Sequence, residues 1–246
     1  MRIALIDADV TAFASAVVSE KPIDWGDGVW TLHADEDEGR RIFAESIDRI
    51  QTKVEADKVI LAFSDSANWR KGVLPTYKSN RAGSRQPLIR KALTEWAKEE
   101  YETFVRPTLE GDDVLGILAT MKRKGDDEYI ICTIDKDLKT IPGLHYNIKH
   151  DKMFEVTEEE ADRWHLMQTL MGDATDGYDG CPGIGPVSAK KILDKDPSWA
   201  AVVKAFDKAG LGEEEALVQA RVARICRAED YNFQTKTVKL WTPPKL

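Results

Sequence analysis

The 246-residue sequence is poor in the side chains that build zinc sites and disulfide frameworks, with three cysteines and four histidines. Cys132, Cys181 and Cys226 are odd in number, widely separated and in no metal-ligand spacing, which excludes a disulfide scaffold and fits reduced thiols in a cytoplasmic protein. His33, His145, His150 and His165 show no ligand spacing either and read as structural. Long apolar runs are missing: none approaches the ~20 residues that cross a bilayer. Met1 to Val10 carries aspartates where a secretion signal has its apolar stretch, so neither a membrane protein nor an exported one is expected. Internal repeats and low-complexity segments are absent. One stretch lacks acids: from Trp69 to Lys91 there is no Asp or Glu, while Arg70, Lys71, Lys78, Arg81, Arg85, Arg90 and Lys91 are basic.

What is present suits a folded core. Hydrophobic residues make up 42%, and the 32% charged fraction is mixed in sign, which argues against disorder. The net charge of −8 describes the long-range field, not local sites, and here the signs are segregated.

Apolar runs alternate with helical periodicity. Residues 2–7, 58–63 and 128–133 read as buried strands, each ending near acids. Helices are expected over about 10–19, 36–54, 86–100, 110–124 and 157–171, the last opened by the capping box Thr157–Glu160. A short strand near 102–105, a hairpin within 145–156, and a mostly helical remainder with an extended tail complete the reading. Alternating strands and helices imply an α/β fold with a mostly parallel sheet. Such sheets bind ligands beyond the carboxyl ends of their strands.

That edge is where the acids fall: Asp7, Asp65, Glu110, Asp112, Asp113, Asp135, Asp137, Asp173 and Asp176. A single strand-end aspartate is as readily a helix cap. A converging group is different, because two carboxylates about 4 Å apart repel by roughly 4 kcal/mol at an effective dielectric of ~20. Such a group takes up protons or cations. Oxygen-only ligands suit Mg²⁺ or Mn²⁺, and this many carboxylates fit the paired ions used in phosphodiester hydrolysis. Within the acid-free stretch, Lys78 and Arg81 could meet a phosphate and Tyr77 could stack on a base or sugar; a solvated loop is the plain alternative. Cys181-Pro-Gly-Ile-Gly-Pro-Val-Ser-Ala-Lys-Lys-Ile-Leu193 follows a helix–hairpin–helix pattern. Gly183 and Gly185 permit a tight hairpin, the following helix start offers N–H groups to phosphate, and Ser188, Lys190 and Lys191 lie at that end. A glycine turn between two helices is the alternative.

The stretches Phe63-Ser-Asp-Ser-Ala-Asn-Trp-Arg-Lys71, Tyr77-Lys-Ser-Asn-Arg81, Leu109-Glu-Gly-Asp-Asp-Val114, Asp135-Lys-Asp-Leu-Lys-Thr-Ile-Pro142, Gly172-Asp-Ala-Thr-Asp-Gly-Tyr178 and Tyr231-Asn-Phe233 together resemble the flap endonuclease and 5′→3′ exonuclease superfamily, and most of all the 5′→3′ exonucleases of short-tailed bacteriophages. The resemblance implies a PIN-like core with a helical arch at about 77–105, within a nuclease domain over 1–160. Residues 161–246 would form a helix–hairpin–helix and C-terminal region. The nine acids would be the metal-site residues, holding two or more Mg²⁺ or Mn²⁺ ions. Lys78 and Arg81 would be catalytic. Arg70, Lys71, Tyr77, Arg85, Gly183, Gly185, Ser188, Lys190 and Lys191 would contact DNA, with a K⁺ at the hairpin. The implied substrate is double-stranded DNA with 5′ ends, along with RNA in RNA–DNA hybrids, in phage replication, primer removal or DNA degradation beside replication proteins. The short span between Lys78 and Glu110 favours exonuclease over flap endonuclease action. Two competing expectations are a HAD-type phosphatase, with Asp7 as nucleophile and Asp9 two residues on, and a non-catalytic DNA-binding relative.

Overall fold

In the computed structural model, which describes residues 1–122 and 125–244, the chain runs β1 (Arg2–Asp7), α1 (Ala8–Ser19), β2 (Glu20–Asp24), β3 (Trp30–Ala34), α2 (Glu36–Lys53), β4 (Lys58–Ala62), α3 (Arg90–Glu100), β5 (Thr103–Phe104), α4 (Gly111–Thr120), β6 (Glu128–Thr133), β7 (Gly143–Asn147), β8 (Lys152–Val156), α5 (Glu158–Met171), α6 (Pro186–Lys195), α7 (Trp199–Lys208), α8 (Gly212–Ala223), β9 (Tyr231–Asn232) and β10 (Thr237–Val238). The main sheet has the order β5-β4-β1-β6-β7-β8, parallel except for β8. The expected α/β fold with a mostly parallel sheet is what forms.

Strand alternation divides the core. Ile3 and Leu5 of β1 pack with Val114 and Leu115 of α4, while Ala4 and Ile6 pack with Phe43 and Ile47 of α2 on the other face. α2 has this contact because Phe43, Ile47 and Ile50 recur on one helical stripe. Asp35 caps its start by accepting from Glu38 N. The expected capping box of α5 is present, with Thr157 N donating to Glu160 and Glu160 N to Thr157. Helices α5 to α8 enclose a smaller cluster around Leu170, Leu193, Val202 and Phe206. The segment after α8 returns to the sheet, where Ile225, Cys226 and Tyr231 join the cluster of Ile3 and Leu5.

Several boundaries differ from expectation. Helix α1 begins at Ala8, because Asp7 caps it by accepting from Val10 N. Helix α3 starts at Arg90, since the residue before Pro87 is turned away from helical geometry. Helix α4 ends at Thr120; Arg123 and Lys124, the end of the expected helix, lie outside the described residues. The hairpin β2–β3 was not expected, nor was the short β9–β10 pair in a region read as helical. In the span expected to form the arch, α3 is the only α-helix and docks on α1 and α2 with Leu93 and Ala97 buried. No helix among the described residues is long and apolar enough to cross a membrane.

Candidate active site

The parallel register brings three strand ends together. Asp7 lies opposite Ala62 of β4, and Ile6 opposite Cys132 of β6. The chain beyond β6 carries Asp135, then Asp137 at the head of a 3-10 turn (Asp137–Thr140). The start of α4 presses onto the end of β4, where a Cβ on Gly111 would stand 3.3 Å from Asp9 Oδ2 and 3.4 Å from Ala62 O. A loop after α5 supplies Asp173 and Asp176. Gly172 (φ +67°) and Gly180 (φ +67°) pinch its neck: a Cβ on Gly172 would lie 2.3 Å from the Asp179 carbonyl carbon, and one on Gly180 2.2 Å from Gly172 N. Only glycine fits there.

These elements surround a cavity of about 220 Å³ lined by Asp7, Asp112, Asp135, Asp137, Glu110 and Asp176, with Lys78 and Arg81 among its walls. The acids are electrostatically unsatisfied. Burial, then Asp9, push the Asp7 carboxyl up to about 7, against hydrogen bonds from Thr133 and Val10 N. Asp112 is raised by burial and then by Asp7, Asp135 and Glu110. Asp137 is pushed up to about 7 by burial and then Asp135, and its Oδ1 is buried without a hydrogen-bond partner. Among the described residues, no three such side chains close on one point as a finished ligand shell. Several lean on cations instead: Lys78 on Glu110 and Asp176, Arg81 on Asp176, and Lys136 on Asp173 at 3.6 Å. An orphaned oxygen and mutually repelling carboxylates are nevertheless what a divalent-cation site offers.

Lys78 stands at the rim. Burial pulls its pKa down, but Glu110 and Asp176 outweigh that and hold it above the ordinary lysine value. Its backbone is left-handed (φ 54°), and its N–H donates to Asp176 O at 2.8 Å. A non-glycine residue in that region is strained and needs such bonds to hold it.

Three expected site residues have other work. Asp113 is fully buried, and five donors reach it: both terminal nitrogens of Arg70 (2.8 Å each), Trp69 Nε1 (3.0 Å), Glu110 N (3.2 Å) and Cys226 N (2.9 Å). These bonds take up its lone pairs and anchor Asp113 in the core. Arg70, expected on the DNA face, is 2% exposed and also donates to Val222 O and Arg224 O. Tyr77, expected to stack on DNA, is 2% exposed, and its hydroxyl lies 3.0 Å from Glu110 and 2.9 Å from Asp176.

Other candidates are placed as follows. Asp65 and Asp173 lie outside the cavity lining. Asp65 accepts from Thr108 N (2.7 Å) and Ser66 N (2.8 Å), which hold its pKa below the usual value. Asp173 accepts from Thr175 N within its loop, and its charge reaches Asp137. Lys71 is exposed; Arg85 is held in a two-point pair by Glu20. Gly183 (φ +75°) and Gly185 at the hairpin before α6, and Ser188, Lys190 and Lys191 on α6 itself, are all exposed, and no side chain caps the helix. Ala189 and Leu193 bury the helix's apolar face. Asp9 and Arg90 were not among the expected site residues. Asp9 lines the cavity, accepts from Ser64 N at 2.7 Å and meets Arg90 at 3.4 Å. Its place two residues after Asp7, on the first turn of α1, was the available signal.

The family model described as "5'-3' exonuclease, N-terminal resolvase-like domain" matches residues 2–165. The chain belongs to the 5′→3′ exonuclease family. Across 98% of its length, and 93% of theirs, it is 33% identical to an exodeoxyribonuclease of Enterobacteria phage T3 and to an exonuclease of Escherichia phage T7. A flap endonuclease Xni of Shewanella oneidensis is 27% identical over 65% of this chain and 66% of its own. Among solved structures, a T5 5′-exonuclease with bound divalent zinc ions superposes with a TM-score of 0.68 at 16% identity, covering 91% of this chain and 89% of that one. That likeness concerns the fold. As a member of this family the chain is an exonuclease, which displaces the phosphatase reading.

Proposed function

We propose that this 5′→3′ exonuclease cuts duplex DNA from its 5′ ends with divalent cations held in the acid cavity. One observation carries this: Asp7, Asp112 and Asp137 line one cavity with raised pKa values, and a buried oxygen of Asp137 has no hydrogen-bond partner. The proposed ligands are Asp7, Asp112, Asp135 and Asp137, with Glu110, Asp173 and Asp176 beside them; Asp65 and Asp113 act through the backbone and Arg70. Mg²⁺ or Mn²⁺ suits this all-oxygen set. When bound, such cations acidify water as nucleophile and stabilise charge on the leaving oxygen. Lys78 stays protonated and presents its ammonium to the scissile phosphate, with Arg81 bracketing the other side. Tyr77 holds Glu110 and Asp176 at fixed separation by its hydroxyl. Arg90 holds Asp9, Asp9 accepts from Ser64 N, and Ser64 Oγ accepts from Gly111 N at the start of α4, which fixes that side of the cavity.

In the same reading, residues 1–160 cut and 161–246 grip duplex DNA by its phosphates. The exposed backbone at Gly183–Gly185 supports phosphate contact and a K⁺ there. The short span between Lys78 and Glu110 supports cutting at 5′ ends over threading of 5′ flaps. Likeness to phage T3 and T7 nucleases supports work in phage replication, primer removal or DNA degradation in the host cytoplasm, alongside replication proteins.

A blunt duplex labelled at either end of one strand tests the central claim. With Mg²⁺, small 5′-labelled products should appear while the 3′ label stays on shortening strands; chelator or Asp112→Asn should abolish both. Release beginning at the 3′ end, or cutting in chelator, would overturn it. RNA paired to DNA is proposed as a second substrate, and intact 5′-labelled RNA after incubation would remove it.

A further inference from the structure

We propose that Gln168 is a positioning residue of the acid cavity, whose side-chain oxygen accepts a hydrogen bond from a water that a divalent cation brings in; this rests on the cation reading above. Gln168 is 3% exposed and lies on α5. It stands one turn before Gly172, the neck of the loop that carries Asp173, and its main-chain O accepts from Gly172 N at 2.9 Å. Its side chain lines the cavity. Oε1 is buried, and among the described residues no donor reaches it. The large majority of buried side-chain oxygens are paired, and one left alone costs stability.

The donors that line the cavity are committed elsewhere. Arg70 directs each of its N–H groups to Val222 O, Arg224 O, Glu110 or Asp113. Tyr77 turns its hydroxyl to Glu110 and Asp176, Lys78 pairs with the same two carboxylates, and Arg81 pairs with Asp176. The Tyr178 hydroxyl lies in the field of Asp137, Asp173 and Asp176, and a carboxylate is a stronger acceptor than an amide. Val222, Ala223 and Ile225 on the same wall have apolar side chains.

What satisfies Gln168 must therefore enter from outside and carry a proton to share. Phosphate oxygens of DNA have none at neutral pH, and an amide oxygen repels them. Water on a divalent cation is a strong donor, and Mg²⁺ keeps several of its waters when carboxylates bind it. A second orphaned oxygen, Asp137 Oδ1, sits on the 3-10 turn Asp137–Thr140, which packs against α5. Both oxygens thus line one cavity from adjoining elements. A hydrated ion at the carboxylates would satisfy both, Asp137 by charge and Gln168 through a water. Partners of this kind, one step out from the ligands, set the affinity and orientation of a bound ion.

The test is thermal melting of the full-length protein, without DNA, over a titration of Mg²⁺. Gln168→Leu keeps most of the bulk and removes the oxygen. It should raise the metal-free melting temperature by about 2–4 °C, because an unpaired buried acceptor is gone. It should also raise the Mg²⁺ concentration at the midpoint of the melting gain about tenfold. The midpoint decides: a role in packing alone, or an ordinary buried water at Oε1, would leave it at the wild-type value, and that result overturns the proposal. Gln168→Glu keeps an acceptor at the same reach, so its midpoint should stay at or below that of the wild type. A higher midpoint in Gln168→Glu overturns the proposal, and this variant decides if Gln168→Leu does not fold. If Mg²⁺ leaves the wild-type melting temperature unchanged, the cation reading itself falls. A wild-type gain that Gln168→Leu matches at every Mg²⁺ concentration removes the role of Gln168 alone.

Discussion

Asp112 faces three carboxylates across the cavity, Asp7, Asp135 and Glu110, whereas Asp113, one residue later on the same helix, is met by five hydrogen-bond donors. Neighbours on an α-helix point about 100° apart, so the helix start sends one carboxylate to the cavity and the next into the core. The consequences are opposite. Burial and like charges push Asp112 above the usual carboxylate range. Burial also works against Asp113, but Arg70 and the other donors outweigh it and hold its pKa low. A carboxylate saturated with donors stabilises the fold, while one surrounded by carboxylates is kept for something that arrives from outside.

The largest effect expected from this contrast is on catalysis. Asp112→Asn should lower the cutting rate at least about a thousandfold, roughly 4 kcal/mol of transition-state stabilisation. It should leave the metal-free melting temperature unchanged or higher, because a repelling charge is gone. Asp113→Ala should do the reverse by first touching stability. It leaves the buried Arg70 guanidinium with Glu110, at 3.0 Å, as its remaining carboxylate partner, at a cost of about 3–5 kcal/mol, readable in urea unfolding. Equal stability losses in the two variants would erase the distinction. Lys78→Ala should slow cutting by about 10²–10³-fold with a smaller effect on duplex binding, measured by single-turnover kinetics.

The buried strands and the acid-lined edge were legible because apolar runs and strand-end carboxylates are local signals. Arg70 and Tyr77 were misread because their fate is set from afar. Arg70 sits in an acid-free stretch that resembles a basic surface, and its bonds to Asp113 and to Val222 and Arg224, the last two more than 150 positions away, take it into the core. The β2–β3 hairpin was missed for a different reason. Its strands are exposed on most positions, so no apolar alternation marks them. The turn itself was readable in Gly26-Asp27-Gly28, all at positive φ.

A smaller effect concerns protons. The raised Asp7 and Asp137 carboxyls keep protons that the unfolded chain releases, so ionising them costs the metal-free fold stability as pH rises from about 4 to about 7. Cations in the cavity would cancel that penalty. The gain in melting stability on adding Mg²⁺ should therefore grow by roughly 2 kcal/mol for each of the two carboxyls between pH 5 and pH 7.5. Taking the difference with and without Mg²⁺ removes the contribution of His165, whose pKa burial lowers and which acts equally in both. A pH-independent Mg²⁺ effect would mean that cations bind elsewhere.

The smallest effects separate folding from grip at the hairpin before α6. A Cβ would meet nothing within 4 Å at either Gly183 or Gly185, so space does not distinguish them. Backbone does: Gly183 has φ +75°, while Gly185 has φ −95°. Gly183→Ala should cost about 1 kcal/mol, a fall of some 2–4 °C in melting temperature for a chain of this size. Gly185→Ala should melt like the wild type. If the hairpin holds phosphate by close backbone approach, the methyl group of Gly185→Ala intrudes where the strand must lie, and duplex affinity falls although the fold is intact. If Gly185→Ala binds duplex as well as the wild type, the glycine serves the turn alone, and the grip must rest with Lys190 and Lys191.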